Sequence, residues 1–177
     1  MTAKRTIIIA EIGENHMGDM DIAHKMVEEA ASAGADIVKF QSYWGKDVPP
    51  DDPEREWFSK VEVSDQDHRE LKAHAEELGV EFLSSPFSLE RVRFLCEDLG
   101  LTKIKIASSE MMNFPLLDYV NDHAETVFLS TGLSNLEEIN EALSHLNQVR
   151  ECYVLHCCTQ YPTKDEQANL QVIPLLR

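Results

Sequence analysis

The chain has 177 residues, of which 43% are apolar, and a formal net charge of −16. This length allows one domain with a sizeable core, and the apolar content excludes general disorder. The negative charge argues against binding to nucleic acid or to an anionic membrane. No apolar run approaches the roughly 18 residues of a membrane helix, and no signal-peptide core follows the N-terminus, so we expect a cytoplasmic protein.

Six short apolar runs are rich in β-branched or aromatic residues, which is typical of buried strands. They cover residues 6–12, 36–41, 80–84, 103–107, 126–130 and 152–157. The first run predicts a strand that is buried on both faces of a parallel sheet. The alternative is an edge strand that leads into an acidic loop.

Amphipathic segments with helix-capping signals separate these runs. Glycines end the first three predicted helices, at Gly34, Gly79 and Gly100. The predicted helix starts are Asp19 or Asp21, Ser64 with Asp67, Ser88, Pro115, and Ser134 with Glu137 as a full capping box. This alternation predicts consecutive βα units and a parallel sheet. Residues 43–63, which contain three prolines, predict a long irregular loop.

Six strands do not close an eight-stranded barrel, which usually takes about 250 residues. An open doubly wound sheet and the first three-quarters of a barrel both fit the order of elements. No GxGxxG or Walker loop follows any predicted strand, which counts against a nucleotide-binding fold.

Every predicted strand ends in polar or charged residues. Because the carboxyl ends of parallel strands meet at one rim, we expect these side chains to converge on one pocket. The residues are Glu11, Lys39, Gln41, Ser84, Ser85, Lys105, Ser108, Glu110, Ser130, Thr131 and His156. Two lysines with hydroxyls and amides suit a phosphate or a carboxylate. The alternative is that Lys39 and Lys105 form structural ion pairs with Glu11 or Glu110.

The four cysteines show neither a CxxC pair nor a paired zinc spacing. Three of them lie in or near apolar runs, so most are expected to be reduced core thiols. Cys157 and Cys158 beside His156 could suggest a metal site. Neighbouring side chains of a strand point to opposite faces, however, so at most His156 and Cys158 share a side.

Six motifs follow one another from about Thr6 to Pro162: IIIAEIGENHMG, AGADIVKFQ, EFLSSPF, KIKIASSE, FLSTG and VLHCCTQYP. This series resembles the sialic acid synthase family, the N-acetylneuraminate synthases. The resemblance implies a (β/α)8 barrel that condenses phosphoenolpyruvate with N-acetylmannosamine, or its 6-phosphate, to a nine-carbon 2-keto acid and phosphate. It also implies a divalent metal, Mn or Mg, and a homodimer. Close relatives make legionaminic or pseudaminic acid, or act in spore-coat polysaccharide synthesis.

Carried onto this sequence, the resemblance places Glu11 at the reaction centre beside the sugar aldehyde. Glu110 becomes a second acidic residue, beside the phosphate. The positions that would hold phosphoenolpyruvate are Lys39, Ser85, Lys105, Ser108 and Ser130. Thr159, where relatives often have asparagine, and Tyr161 would line the amino-sugar pocket.

The resemblance also predicts what this chain lacks. The two metal-binding histidines of the family lie on the last two strands, after the position of Arg177, and neither His16 nor His156 corresponds to them. An antifreeze-like domain that follows the barrel is missing as well. We therefore expect residues 1–177 to form a single truncated barrel domain of about six βα units. Its open edges require a second copy or a partner chain, and its own catalysis should be weak or absent.

Two alternatives stay open. A shortened chain, or one piece of a two-chain enzyme, can be a non-catalytic module that keeps the anion pocket and binds a phosphorylated metabolite or a partner chain. The other alternative is a different phosphoenolpyruvate-condensing barrel enzyme that makes a 3-deoxy sugar acid phosphate.

Overall fold

A computed structural model describes residues 5–176, in which strands and helices alternate as predicted. The strands are β1 (Ile9–Glu11), β2 (Ile37–Ser42), β3 (Glu81–Pro86), β4 (Lys103–Ile106), β5 (Thr126–Ser130) and β6 (Glu151–Leu155). The α-helices are α1 (Met20–Ser32), α2 (Arg55–Val61), α3 (Asp65–Glu77), α4 (Leu89–Arg93), α5 (Phe114–His123), α6 (Leu136–His145) and α7 (Val172–Leu175). A π-helical turn at Phe94–Asp98 continues α4, and 3-10 turns lie at Gly45–Asp47, Ser108–Glu110 and Asp165–Gln167.

The chain divides into two compact units, residues 1–85 and 86–177. The first contains a sheet of order β1-β2-β3, and the second a sheet of order β4-β5-β6. The pairs β1–β2, β4–β5 and β5–β6 are parallel. The predicted α/β class with parallel strands is therefore confirmed.

The core of the first unit lies between its sheet and the helices α1 and α3, which contact each other. Phe40 of β2 stacks on Phe82 of β3 with ring centroids 5.6 Å apart. Val27 of α1 and Leu71 of α3 are completely buried. The apolar runs of the sequence thus form the buried faces of the elements that they predicted.

The first strand differs from its prediction. It has only three residues, and Ile7 and Ile8, which precede it, are 50% and 52% exposed. Among the described strands β1 is hydrogen-bonded to β2 alone, so one of its sides lacks a neighbour within its sheet. The prediction of a strand buried on both faces is wrong here, and the alternative, an edge strand that enters an acidic loop, is correct.

In the second unit, β5 lies between β4 and β6 and is buried along its whole length. Ile104 and Ile106 of β4 and Leu129 of β5 have no exposed surface. Helix α5 contacts both α4 and α6. The edge strand β6 is more exposed, with Glu151 and Tyr153 open to solvent.

The helix signals are mostly confirmed. Asp19, Ser64 and Ser88 each accept a hydrogen bond from the backbone N–H three residues further on. Pro115 lies in the first turn of α5, where its missing N–H is tolerated. Gly34 and Gly79, just beyond the ends of α1 and α3, have φ values of 86° and 75°, which favour glycine.

The capping box of α6 is one residue away from its predicted position. Asn135, not Ser134, accepts the N–H groups of Glu137 and Glu138, and the Glu138 carboxylate accepts the N–H of Asn135 in return. Ser134 instead donates to the carbonyl of Gly132, so the predicted pair of Ser134 with Glu137 is wrong.

Residues 43–63 are less irregular than predicted, because they contain a 3-10 turn and α2. Glu14, in the loop after β1, accepts hydrogen bonds from the Tyr43 hydroxyl at 2.7 Å and from Trp57 Nε1 at 3.1 Å. Burial and this hydrogen bond to Glu14 raise the pKa of Tyr43. One carboxylate therefore joins the loop after β1 to Tyr43, at the start of this segment, and to Trp57 in α2.

All four cysteines are free thiols, as predicted, but each is half-buried rather than fully in the core. Burial raises the pKa of Cys96 to about 11 and also raises that of Cys152. Within residues 5–176, none of the helices combines the length and the apolar character needed to cross a membrane.

Candidate anion site at the strand ends

The parallel register of β1 and β2 places Glu11 beside Lys39. Lys39 Nζ lies 3.0 Å from Glu11 Oε2, and the two side chains are 6% and 59% exposed. Lysine is almost never buried without a partner, so this ion pair explains how Lys39 is accommodated. The alternative of an ion pair between Lys39 and Glu11 is therefore correct.

The ammonium of Lys39 has a second set of partners. It donates to Ser85 Oγ at 3.3 Å and to the Phe40 carbonyl at 3.4 Å. Ser85 lies near the end of β3 and is almost completely buried. The first unit therefore brings together three predicted site residues on adjacent strands: Glu11 at the end of β1, Lys39 within β2 and Ser85 near the end of β3.

The loop after β1 folds back on the same strand end. The N–H groups of Ile12 and Gly13 both donate to the Lys39 carbonyl at 3.0 Å. Gly13 has a φ of 56°, and a Cβ atom at this position would lie 3.8 Å from Gln41 Nε2. Half-buried Gln41 is thus close to the turn that carries Glu11 toward Lys39.

The second unit repeats the lysine–serine arrangement. Lys105 Nζ donates to Ser130 Oγ at 2.5 Å and to the Ile106 carbonyl at 3.0 Å. Lys105 is paired with Phe128 across β4 and β5, and Ser130 lies two residues further along β5. Because alternate side chains share a face of a sheet, Ser130 is within reach of the ammonium.

Ser108, Gly132 and Thr159 form a second group in this unit. The N–H of Gly132 donates to Ser108 Oγ at 3.0 Å. A Cβ atom on Gly132 would lie 2.8 Å from Ser108 Oγ and 2.5 Å from Thr159 Oγ1, which is closer than real Cβ contacts allow. Residue 132 must therefore lack a side chain for the two hydroxyls to take these positions.

Two predicted residues have other surroundings. Glu110 accepts a hydrogen bond from Asn113 Nδ2 at 2.9 Å, so its carboxylate is oriented by the residue that caps α5. Tyr161 is 97% exposed. Its side chain therefore packs on little of the described chain.

Sequence reasoning missed one polar neighbour of Ser130. The Cys157 thiol donates to Ser130 Oγ at 3.3 Å, so this hydroxyl contacts a thiol and an ammonium together. The signal was present, because Cys157 lies at the end of the sixth apolar run, two residues beyond β6. The adjacent His156 has its Nε2 2.8 Å from the Ala168 carbonyl.

The loop after β1 also contains His16, which is completely buried. Its Nδ1 accepts the N–H of Gly18 at 3.1 Å. Burial lowers the pKa of His16, opposed in part by the nearby carboxylates of Glu14, Asp19 and Asp67. The imidazole is thus a neutral internal support of this loop.

The described residues, 5–176, contain no group of three or more His, Cys, Asp or Glu side chains arranged to hold a metal ion. The site residues therefore do not by themselves fit the Mn or Mg that the family resemblance implies. The prediction that the histidine ligands of this metal lie after the position of Arg177 stays a prediction.

The same arrangement thus occurs once in each unit: a lysine near the end of a strand, bonded to a serine hydroxyl of the next strand. An ammonium and a hydroxyl fixed side by side suit a phosphate or carboxylate oxygen. The fold and these strands define an α/β protein with one lysine–serine pair in each unit.

Residues 26–177 match the model of the NeuB family, so the chain belongs to that family. It is 42% identical over 175 residues to an uncharacterized protein of Methanocaldococcus jannaschii, covering 97% of this chain and 52% of that protein. It is 38% identical over 193 residues to the N,N'-diacetyllegionaminic acid synthase of Campylobacter jejuni, covering 98% of this chain and 58% of the relative. The chain spans about half the length of the curated relatives that it matches.

Solved structures agree with this assignment. The N-acetylneuraminic acid synthetase of Leptospira borgpetersenii, crystallised with citrate, matches 98% of this chain and 61% of its own, with a TM-score of 0.92 and 31% identity. A truncated 3-deoxy-D-arabino-heptulosonate 7-phosphate synthase of Thermotoga maritima has a TM-score of 0.70 and 12% identity, covering 97% of this chain and 59% of its own. The second likeness concerns the fold alone.

Proposed function

We propose that this chain provides the phosphoenolpyruvate-binding part of a sugar-acid synthase. The enzyme would join phosphoenolpyruvate to the aldehyde of an amino sugar such as N-acetylmannosamine, giving a 2-keto sugar acid and inorganic phosphate. Membership of the NeuB family supports this reaction class, since relatives at 38% and 31% identity are named as synthases of such acids.

The observation that carries the proposal is the repeated lysine–serine pair. Phosphoenolpyruvate bears about three negative charges on a phosphate and a carboxylate, so it requires fixed cations and hydrogen-bond donors. Lys39 with Ser85 and Lys105 with Ser130 supply both at strand ends.

The proposed chemistry follows from the charges. C3 of the enol attacks the aldehyde carbon, forming a carbon–carbon bond, and the new alkoxide takes up a proton. Water adds at C2, and the C2 centre then expels phosphate to leave the ketone. Glu11 is suited to orient the water or to move a proton. Its carboxylate lies beside Lys39 and can accept a hydrogen bond from the water or from the new hydroxyl group.

The sugar side of the pocket is less constrained. We propose that Thr159 and Tyr161 contact the amino sugar, while Ser108 and Glu110 lie on the phosphate side. The contact of Thr159 with Gly132 supports this placement, since Gly132 also bonds to Ser108. We propose an amino sugar as the class of substrate, because the relatives are named as synthases of different sugar acids.

Calorimetric titration of the full chain with phosphoenolpyruvate, without metal, tests the proposal. We expect one equivalent to bind, and Lys39→Met or Lys105→Met to weaken binding at least about tenfold, because each removes a charged hydrogen-bond donor. Lys103→Met, on the same strand as Lys105, is the matched control. Absence of binding, or equal effects of the Lys103 and Lys105 variants, would contradict the proposal.

A second assay separates binding from catalysis. The chain is mixed with phosphoenolpyruvate, N-acetylmannosamine and Mn, and phosphate release is measured. Binding with little turnover agrees with a chain that holds phosphoenolpyruvate without catalysing its condensation. Steady turnover would overturn the expectation of weak catalysis.

A further inference from the structure

Helices α1 and α3 of the first unit carry two histidines that face each other. His24 Nδ1 and His74 Nδ1 lie 2.5 Å apart, and the ring centroids are separated by 4.7 Å. Two such nitrogens can share a single proton, with one ring as donor and the other as acceptor. Two imidazolium ions would repel each other, so at least one of the facing nitrogens has a free electron pair.

A carboxylate lies behind one of these rings. Glu28 Oε1 is 3.6 Å from His74 Nε2, and Glu28 follows His24 by one turn of α1. In the tautomer that carries its N–H on Nε2, His74 faces this carboxylate with the N–H and directs Nδ1, as an acceptor, at His24. A carboxylate behind an imidazole is the arrangement that commonly orients metal-binding histidines.

We propose that His24 and His74 bind a divalent transition metal such as Zn²⁺ or Ni²⁺, which links α1 to α3. Imidazole holds these metals at about 2.0 to 2.1 Å, so opening the gap between the nitrogens by about 1 Å admits an ion. Both rings are half-buried and remain accessible from solvent. Water completes the coordination, because the described residues offer no third protein ligand in this place.

This site is distinct from the strand ends. It lies between two helices that are packed on each other, whereas the lysine–serine pair of the same unit lies on the strands β2 and β3. Its consequence is mechanical: the ion holds together two helices that otherwise rely on apolar contacts such as those of Val27 and Leu71. The formal charge of −16 raises the local concentration of cations around the chain.

Titration of the full chain with Zn²⁺ and with Ni²⁺, by calorimetry and thermal unfolding, tests this site. We expect one ion to bind and to raise the melting temperature. His24→Gln and His74→Gln should abolish both effects, and Glu28→Gln should weaken binding by about tenfold. His123→Gln, which removes an exposed histidine of α5, is the matched control and should behave as the unsubstituted chain does.

Three results would overturn the proposal: no binding to the unsubstituted chain, unchanged binding to His24→Gln, or equally strong binding of Mg²⁺, which prefers oxygen ligands. Lowering the pH should weaken binding, because protons compete with the metal for the imidazole nitrogens.

A measurement on the unsubstituted chain guards against variants that fail to fold. Zn²⁺ should protect His24 and His74, but not His123, from acylation by diethyl pyrocarbonate, as located by mass spectrometry. Equal labelling of all three histidines with and without Zn²⁺ contradicts the site.

Discussion

Ser130 accepts a hydrogen bond from the Lys105 ammonium because it lies two residues beyond Phe128, the partner of Lys105 across β4 and β5. Parallel pairing brings both side chains to one face of the sheet, at its carboxyl end. The cation is thus held by the neighbouring strand before any anion arrives. Preorganised donors of this kind lose little freedom when a ligand binds.

Replacing Ser130 with alanine should therefore weaken phosphoenolpyruvate binding without unfolding the chain. The hydroxyl supplies one hydrogen bond to Lys105, and loss of such a bond to a charged group costs about 1.5 to 3 kcal/mol, roughly a tenfold to hundredfold change in affinity. Calorimetry measures the affinity, and circular dichroism checks the fold.

Cys157→Ala is the matched control for this variant. The Cys157 thiol donates to the same Ser130 oxygen but carries no charge and is a weak donor, so its removal should change affinity less. If Cys157→Ala weakens binding as much as Ser130→Ala does, the ammonium is not the group that Ser130 positions for the anion.

Gly132→Ala should destabilise the second unit. The new methyl group would lie 2.8 Å from Ser108 Oγ and would also press on Thr159, so the turn after β5 must shift. Overpacking of this kind typically costs about 1 to 3 kcal/mol, which urea unfolding resolves as a lower midpoint.

A double-mutant cycle identifies the cause of that loss. Ser108→Ala removes the hydroxyl oxygen of Ser108, which would lie 2.8 Å from the new methyl group. The double variant, Ser108→Ala with Gly132→Ala, should therefore lose less stability than the sum of the two single variants. Strict additivity would show that the contact between these residues is not responsible.

Asn135→Ala should destabilise α6 by about 1 kcal/mol, whereas Ser134→Ala should be close to neutral. Asn135 accepts two backbone N–H groups at the start of α6, while Ser134 makes one 3.3 Å contact with the Gly132 carbonyl. The two positions are adjacent in the same turn, so each variant is the control for the other in urea unfolding. Equal losses would contradict the observed cap.

The misplaced cap shows where sequence reasoning reaches its limit. Both Ser134 and Asn135 are favourable caps with a glutamate three residues later, so local preference does not choose between them. The choice depends on where the turn after β5 delivers the chain. The apolar runs, in contrast, predicted all six strands to within a few residues, because burial depends on local composition.

The candidate site shows the same division. Lysines at strand ends were visible in the sequence, because charges at the end of an apolar run stand out. Their hydroxyl partners depend on the register between strands. The register determines that Lys105 donates to Ser130 rather than to Thr131, and that the Cys157 thiol also donates to Ser130. The sequence left two alternatives open for β1, a strand buried on both faces or an edge strand, because an apolar run does not reveal how many neighbours its strand has.

The pH dependence of stability should reflect His16. Burial lowers its pKa in the folded chain below the ordinary value of about 6.5, so below that pH the unfolded chain binds more protons than the folded chain. The contribution of neutral His16 to the free energy of unfolding is fully present above about pH 6.5. It is lost as the pH falls toward the pKa of His16 in the folded chain. Urea unfolding between pH 7.5 and 5 should therefore show a falling midpoint.

His16→Gln isolates this contribution, since glutamine retains an acceptor for the Gly18 N–H but does not titrate in this range. The free energy of unfolding of the variant should fall less between pH 7.5 and 5 than that of the unsubstituted chain. Each pH unit in the affected range accounts for at most about 1.4 kcal/mol of the difference. Other titrating groups cancel in the comparison, so parallel pH profiles for the two chains would mean that burial of His16 does not control its protonation.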